Sequence, residues 1–97
     1  MDDMQSVMTE NSNGTKRWRL PDSSLHREDG PAIEFSNGKK SWRVNGRRHR
    51  TDGPALEYPD GNAQWWLHDR HYTFDEWLDR TTGLTDEEKV MMKLKYG

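Results

Sequence analysis

The chain has 97 residues, of which 30% are hydrophobic and 33% charged, with a net charge of −2. That is one domain with a lean core, too small to stabilise itself through aliphatic burial alone. With no cysteine, disulfides and thiolate metal sites are excluded, and no apolar run reaches the roughly 18 residues that span a bilayer.

Five Trp offset the lean composition, because each large aromatic buries roughly 150–250 Å². The expectation is a thin, one-sided core built on Trp. The N-terminus, Met1-Asp2-Asp3, lacks a basic-then-apolar secretion signal, so a cytoplasmic location is expected. Charge is uneven: −3 over residues 1–15, +3 over 16–71 and −2 over 72–97. Lys39 to Arg50 holds six bases and no acid, a local stripe on a near-neutral protein.

Residues 1–15 are polar and end in Asn-Ser-Asn-Gly before Thr15. They read as a flexible tail, although Met4, Val7 and Met8 have the spacing of a short helical turn.

Residues 16–71 read as strands and tight turns. Trp18-Arg19-Leu20, Ile33-Glu34-Phe35, Trp42-Arg43-Val44 and Leu56-Glu57-Tyr58 alternate apolar and polar side chains, the period of a half-buried strand. Asn37-Gly38, Asn45-Gly46 and Asp60-Gly61 separate them and suggest type I′ hairpin turns. Above all, the segment repeats. His26-Arg27-Glu28-Asp29-Gly30-Pro31-Ala32 returns 23 residues later as His49-Arg50-Thr51-Asp52-Gly53-Pro54-Ala55. Glu34, Phe35, Trp42 and Val44 recur as Glu57, Tyr58, Trp65 and Leu67. Such a period marks stacked copies of one small unit.

Residues 72–97 read as a helical cap. Thr73 with Glu76, and Thr85 with Glu88, are two capping boxes. The first helix carries Phe74, Trp77 and Leu78 and stops at Gly83; the second runs from Asp86 to about Lys95 with Val90, Met91 and Leu94 as its apolar stripe. The predicted fold is therefore mainly β: an antiparallel β-meander of hairpin repeats with one or two C-terminal capping helices.

Trp42-Arg43-Val44-Asn45-Gly46-Arg47-Arg48-His49 resembles the W-x-x-G-x-x-H core of the MORN-repeat family, and Asp60-Gly61 stands where that family has its D-G turn. The resemblance covers roughly residues 16–71. The family's Tyr-x-Gly before the Trp is missing, and His-Arg-x-Asp-Gly-Pro-Ala replaces its His-Gly-x-Gly. The chain is thus similar to MORN variants found in small phage-type proteins, some relatives of which are labelled antitoxins. The resemblance implies the fold; a repeat fold by itself does not specify a function.

Three constellations stand out. His26, Arg27 and Asp29, with His49, Arg50 and Asp52, can be a metal or acid–base site or a structural clasp. Repetition favours the clasp, with Arg and Asp paired across the Gly-Pro corner and His donating to a backbone carbonyl of the next hairpin. Trp18, Trp42 and Trp65 occupy matched core positions, whereas Trp66 replaces Arg43 on the wet face. Two placements are open for Trp66: exposed beside Tyr58 or His68 as an interface anchor, or covered by the C-terminal helix. The stripe of Lys39, Lys40, Arg43, Arg47, Arg48 and Arg50 can be a solvated face balanced by Glu34, Glu57 and Asp52, or a contact surface.

No phosphate-cradling Gly loop, nucleophile elbow or His-Glu-x-x-His motif is present in the sequence. The reading is a non-catalytic protein-binding module, without metal or cofactor, that contacts its partner through Lys40, Arg43, Arg47, Arg48 and Trp66. By resemblance the partner is a host protein, such as an immune-system component blocked by a phage or mobile-element accessory protein. The alternatives are nucleic-acid or anionic-membrane binding through the stripe, and an antitoxin-like or self-associating role, with a homodimer formed through an edge strand or the helical cap.

Overall fold

The computed structural model describes residues 6–97. Nine strands and two helices follow one another along this part of the chain. They are β1 (Val7–Glu10), β2 (Lys16–Arg19), β3 (Ile33–Glu34), β4 (Lys40–Ser41), β5 (Arg43–Val44), β6 (Arg47–Arg48), β7 (Leu56–Glu57), β8 (Ala63–Leu67), β9 (Arg70–Tyr72), α1 (Phe74–Arg80) and α2 (Asp86–Tyr96). Seven strands form one sheet in the order β1-β2-β3-β4-β7-β8-β9, and β5 pairs with β6 between β4 and β7 in the chain. Every pairing is antiparallel. The expected β-meander closed by two helices is the observed fold.

The 23-residue period reappears in the backbone hydrogen bonds. The Arg27 amide donates to the Arg43 carbonyl (3.1 Å), and the Arg50 amide to the Trp66 carbonyl (3.2 Å). The Gly46 amide donates to Leu25 and the Asp69 amide to Arg48, both at 2.8 Å. Each copy therefore has two tiers. An upper hairpin belongs to the large sheet, and a lower one opens at a Trp: His26 N–H bonds to the Trp18 carbonyl, and His49 N–H to that of Trp42.

Residues 7–10, expected within a flexible tail, form an edge strand instead, with Glu10 opposite Lys16 and Met8 opposite Trp18. The proposed helical turn at Val7 and Met8 is likewise replaced by strand; Met4 lies outside the described residues. Asn13-Gly14 precedes Trp18 by the same five residues that separate Asn37-Gly38 from Trp42. A further half-copy thus opens the sheet. Across it, Glu10, Lys16, Glu34, Lys40 and Glu57 occupy one continuous cross-strand row. Opposite charges on neighbouring strands support this register.

Two turn types alternate. Gly38 and Gly61 have φ +96° and +94°, but Asn37 and Asp60 keep negative φ, so these are three-residue loops ending in a left-handed residue rather than type I′ turns. The Asn37 and Asp60 carboxamide and carboxylate oxygens accept from the amides two residues on, each at 3.0 Å. Asn45-Gly46 is a true two-residue turn with φ +52° and +82°, repeated by His68-Asp69 with +50° and +68°. Ser23, at φ +75°, ends a loop of the first kind without the benefit of glycine. Left-handed backbone costs a non-glycine residue about 1–2 kcal/mol, while glycine loses more entropy on folding. Ser23→Gly should therefore gain about 0.5 kcal/mol in a urea denaturation series; a loss would show that the serine side chain has a role of its own.

The principal core joins Trp65 and Leu67 of β8 to Trp77 and Leu78 of α1, with Tyr72, Phe74, Leu84, Met92 and Tyr96 packed against it. Both capping boxes form as read: Thr73 and Thr85 accept from the Glu76 and Glu88 amides, and the glutamates accept from the cap amides in return. Helix α1 ends at Arg80 with Thr81 as its cap, ahead of Gly83. Helix α2 is rotated relative to expectation. It docks through Met92 and Tyr96, and its supposed inner stripe of Val90, Met91 and Leu94 faces outward.

Candidate binding face

The two repeated constellations are the same clasp built twice. Arg27 Nε donates to Asp29 (3.0 Å), and Nη1 to the Pro31 carbonyl and to Glu34, each at 3.2 Å. Arg50 repeats these bonds with Asp52 (2.9 Å), Pro54 (3.0 Å) and Glu57 (3.1 Å). Each guanidinium lies 3.9 Å over a Trp ring, Trp18 or Trp42. Those two indoles are half-buried platforms rather than core residues. The Gly-Pro corner completes the fit: a Cβ at Gly53 would stand 2.7 Å from Arg50 Cζ, and one at Gly30 would stand 3.0 Å from Arg27 Cζ.

The histidines of the clasp act as acceptors, the reverse of the expected donation to a carbonyl. The Asn45 amide donates to His26 Nδ1, and the His68 amide to His49 Nδ1, both at 3.0 Å. Each ring thus holds the left-handed turn of the next hairpin. With Nδ1 accepting, the neutral ring carries its proton on Nε2, which in His26 lies 3.4 Å from Glu28.

His49 also lies against His68, with ring centroids 4.4 Å apart. Burial, and secondly the neighbouring His68, lower the His49 pKa below its ordinary value. The unfolded chain therefore binds this proton more readily than the native one. The contribution of His49 is full above the unfolded imidazole pKa, near 6.5, and is lost as pH falls through the lower folded value. Thermal melts between pH 7.5 and 5 should show a decline that shrinks in His49→Asn; an equal decline in the variant would contradict this assignment. Sequence reasoning passed over His68 in this role. It is one period beyond Asn45, and that equivalence marks it as the matching turn residue.

The residues expected to meet a partner divide between two faces. Arg43 and Arg48 are directly opposite each other on β5 and β6. Arg48 extends its guanidinium over Trp66, 4.7 Å from the ring centroid. Trp66 also stacks on His71, at 4.9 Å and 17° between planes, and its Nε1–H donates to Gln64 (3.1 Å). Trp66 is half-buried in this stack, while its neighbour Trp65 points to the opposite face and meets the helices. His71 and Gln64 were not foreseen. They follow from the β7–β8 and β8–β9 pairings, which place them on the Trp66 face.

Lys40 and Arg47 are not part of this group. Lys40 stands between Glu34 and Glu57 in the charge row. Arg47 pairs with Val44 and lines a shallow depression with Asn45, His49 and His68. Lys39 lies about 5 Å from the Phe35 and Tyr58 rings, at 5.1 and 5.0 Å. The basic stripe is therefore continuous in sequence but divided in space.

Arg43 and Arg48 are half-buried and face each other directly. Arg43 donates to Ser41 Oγ (3.4 Å) and to the Gly46 carbonyl (3.3 Å). Among the described residues neither forms an ion pair with a carboxylate, and the buried Arg48 Nε has no hydrogen-bond partner. Burial, then the adjacent Arg48 charge, lower the Arg43 pKa, with Asp69 opposing. Like charges directly opposite on paired strands destabilise a sheet; the Asp69 carboxylate, which accepts from the Arg48 amide at 3.3 Å, offsets this in part.

No protein-family model matches the chain, and no similar curated protein or solved structure was found.

Proposed function

We propose that the protein is a non-catalytic binding module whose contact face is the row Arg43, Arg48, Trp66 and His71. The observation that carries this reading is the facing Arg43–Arg48 pair without a carboxylate partner, continued by a half-buried Trp. Trp and Arg are the residues most enriched among interface hot spots. The complementary partner presents carboxylates around a flat apolar or aromatic group, which is the chemistry of an acidic protein surface. The likeness to phage-type MORN variants suggests the setting: a phage or mobile-element accessory protein that occludes a host factor, such as an immune-system component.

The division of the basic stripe between two faces supports a protein partner over a polyphosphate one. Phosphate-dominated binding uses several cations along one track and falls steeply with salt; of the six bases of the stripe, Arg43 and Arg48 alone share the candidate face. The test is capture of a partner from bacterial lysate by the tagged chain, with and without nuclease, alongside Arg43→Glu/Arg48→Glu and Trp66→Ala. Retention of one discrete protein after nuclease, lost in both variants, is expected. Nucleic acid alone, released by moderate salt, would overturn the reading, as would a protein retained equally by the variants.

A further inference from the structure

We infer that the outward face of α2 is a self-association surface, on which two copies of this chain pair their α2 helices antiparallel. The helix has two apolar sides. Met92 and Tyr96 are spent on the core, where Tyr96 meets Trp65 edge-on at 4.8 Å. Val90, Met91 and Leu94 are 55%, 66% and 80% exposed. At about 100° per residue they form one stripe on the side opposite the docked one, continued at its N-terminal end by the exposed Glu87. Three large apolar residues left together on an eleven-residue helix mark an interaction site more than a solvated surface.

The charges beside the stripe identify the occupant. Asp86 and Lys93 lie along one flank, and Glu88 and Lys95 along the other. On each flank the acid stands in the first turn and the base in the last, seven residues apart. When a second α2 is laid antiparallel across a two-fold axis, Val90 faces Met91 of the second copy. Asp86 then meets Lys93 of the second copy on one flank, and Glu88 meets Lys95 of the second copy on the other; the axis repeats both. A parallel pair would instead place acid beside acid. The surface is thus complementary to itself in one orientation, the requirement for an isologous dimer. One helix from each side makes a small interface, so the dimer is weak and concentration-dependent.

Sedimentation equilibrium of the full chain from micromolar to millimolar concentration tests this. The average mass should rise from one chain toward two, and Leu94→Glu should hold it at one across the range. This substitution leaves the core untouched, and circular dichroism checks that the helices persist. Asp86→Lys and Lys93→Asp should each weaken the dimer about tenfold, since each change acts twice, and the combined variant should restore it. The pair Asp86–Lys93 is used because Glu88 also serves the capping box. A single chain at every concentration would overturn the proposal. So would a dimer that survives Leu94→Glu, or a combined variant no tighter than the single ones.

Discussion

Trp77→Ala is expected to remove about 3–5 kcal/mol of stability, the largest single-residue effect in this chain. The side chain is fully buried. Its ring lies 4.6 Å from Trp65 and 6.4 Å from Phe74, and its Nε1–H donates to the Arg50 carbonyl at 2.9 Å. One residue thus fills the core between helix and sheet and satisfies the backbone of the second clasp. A domain of this size has about 5–15 kcal/mol in all, so alanine should leave it partly unfolded at 37 °C. Trp77→Phe separates the two contributions. It keeps most of the packing but orphans the carbonyl, at a cost of about 1–3 kcal/mol. Urea midpoints measured on the three proteins should fall in the order wild type, Phe, Ala. A midpoint for Trp77→Ala equal to wild type would show that α1 does not hold the sheet.

The repeat was legible because its landmarks are chemically demanding. Arg27 and Arg50 each need an Asp two residues on, a Gly three on and a Glu seven on, and all recur at one offset. The half-copy at the N-terminus escaped notice because it keeps the turn and loses the apolar pair. Thr9 and Asn11 stand where the later copies have Ile33 and Phe35, then Leu56 and Tyr58. Composition therefore suggested a tail, although Glu10, Asn13-Gly14 and Trp18 return 24 residues later as Glu34, Asn37-Gly38 and Trp42. The orientation of α2 was illegible for a different reason. A helix with two apolar sides gives periodicity arguments two equal answers, and the choice rests on Tyr96 fitting against Trp65 and Phe74.

The candidate face was half legible. Trp66 was conspicuous because it breaks the repeat at the position of Arg43, and the cross-strand Arg43–Arg48 pair lies within the basic stripe. His71 and Gln64 needed the β8 pairings, and separating Lys40 and Arg47 from the face needed the alternation of β4, β5 and β6. A run of bases in sequence says how much charge is present. Which side of a strand each base occupies depends on register, which a one-residue slip inverts.

Register also decides the outcome at the second clasp, where Arg50→Lys should behave nearly as badly as Arg50→Ala. The guanidinium makes three hydrogen bonds in one plane, to Asp52, Pro54 and Glu57, while stacked on Trp42. An ammonium cannot reproduce that planar fork or its stacking. Charge-assisted bonds of this kind are worth about 1.5–3 kcal/mol each when a partner is left unsatisfied. Exposure of Asp52 reduces its share, so about 2–3 kcal/mol is expected for either variant. Gly53→Ala reaches the same end from the backbone side. Its Cβ would stand 2.7 Å from Cζ and 2.9 Å from Nη1 of Arg50, forcing the pinned guanidinium off the Trp42 ring. Gly30→Ala is the internal control. The equivalent approach to Arg27 is 3.0 Å, and the first clasp carries no helix, whereas Trp77 and Thr81 both bond to the backbone of the second. Denaturation midpoints should therefore fall further for Gly53→Ala than for Gly30→Ala. Equal losses would mean that α1 draws nothing from the clasp beneath it, and a stable Arg50→Lys would mean that charge alone holds the corner.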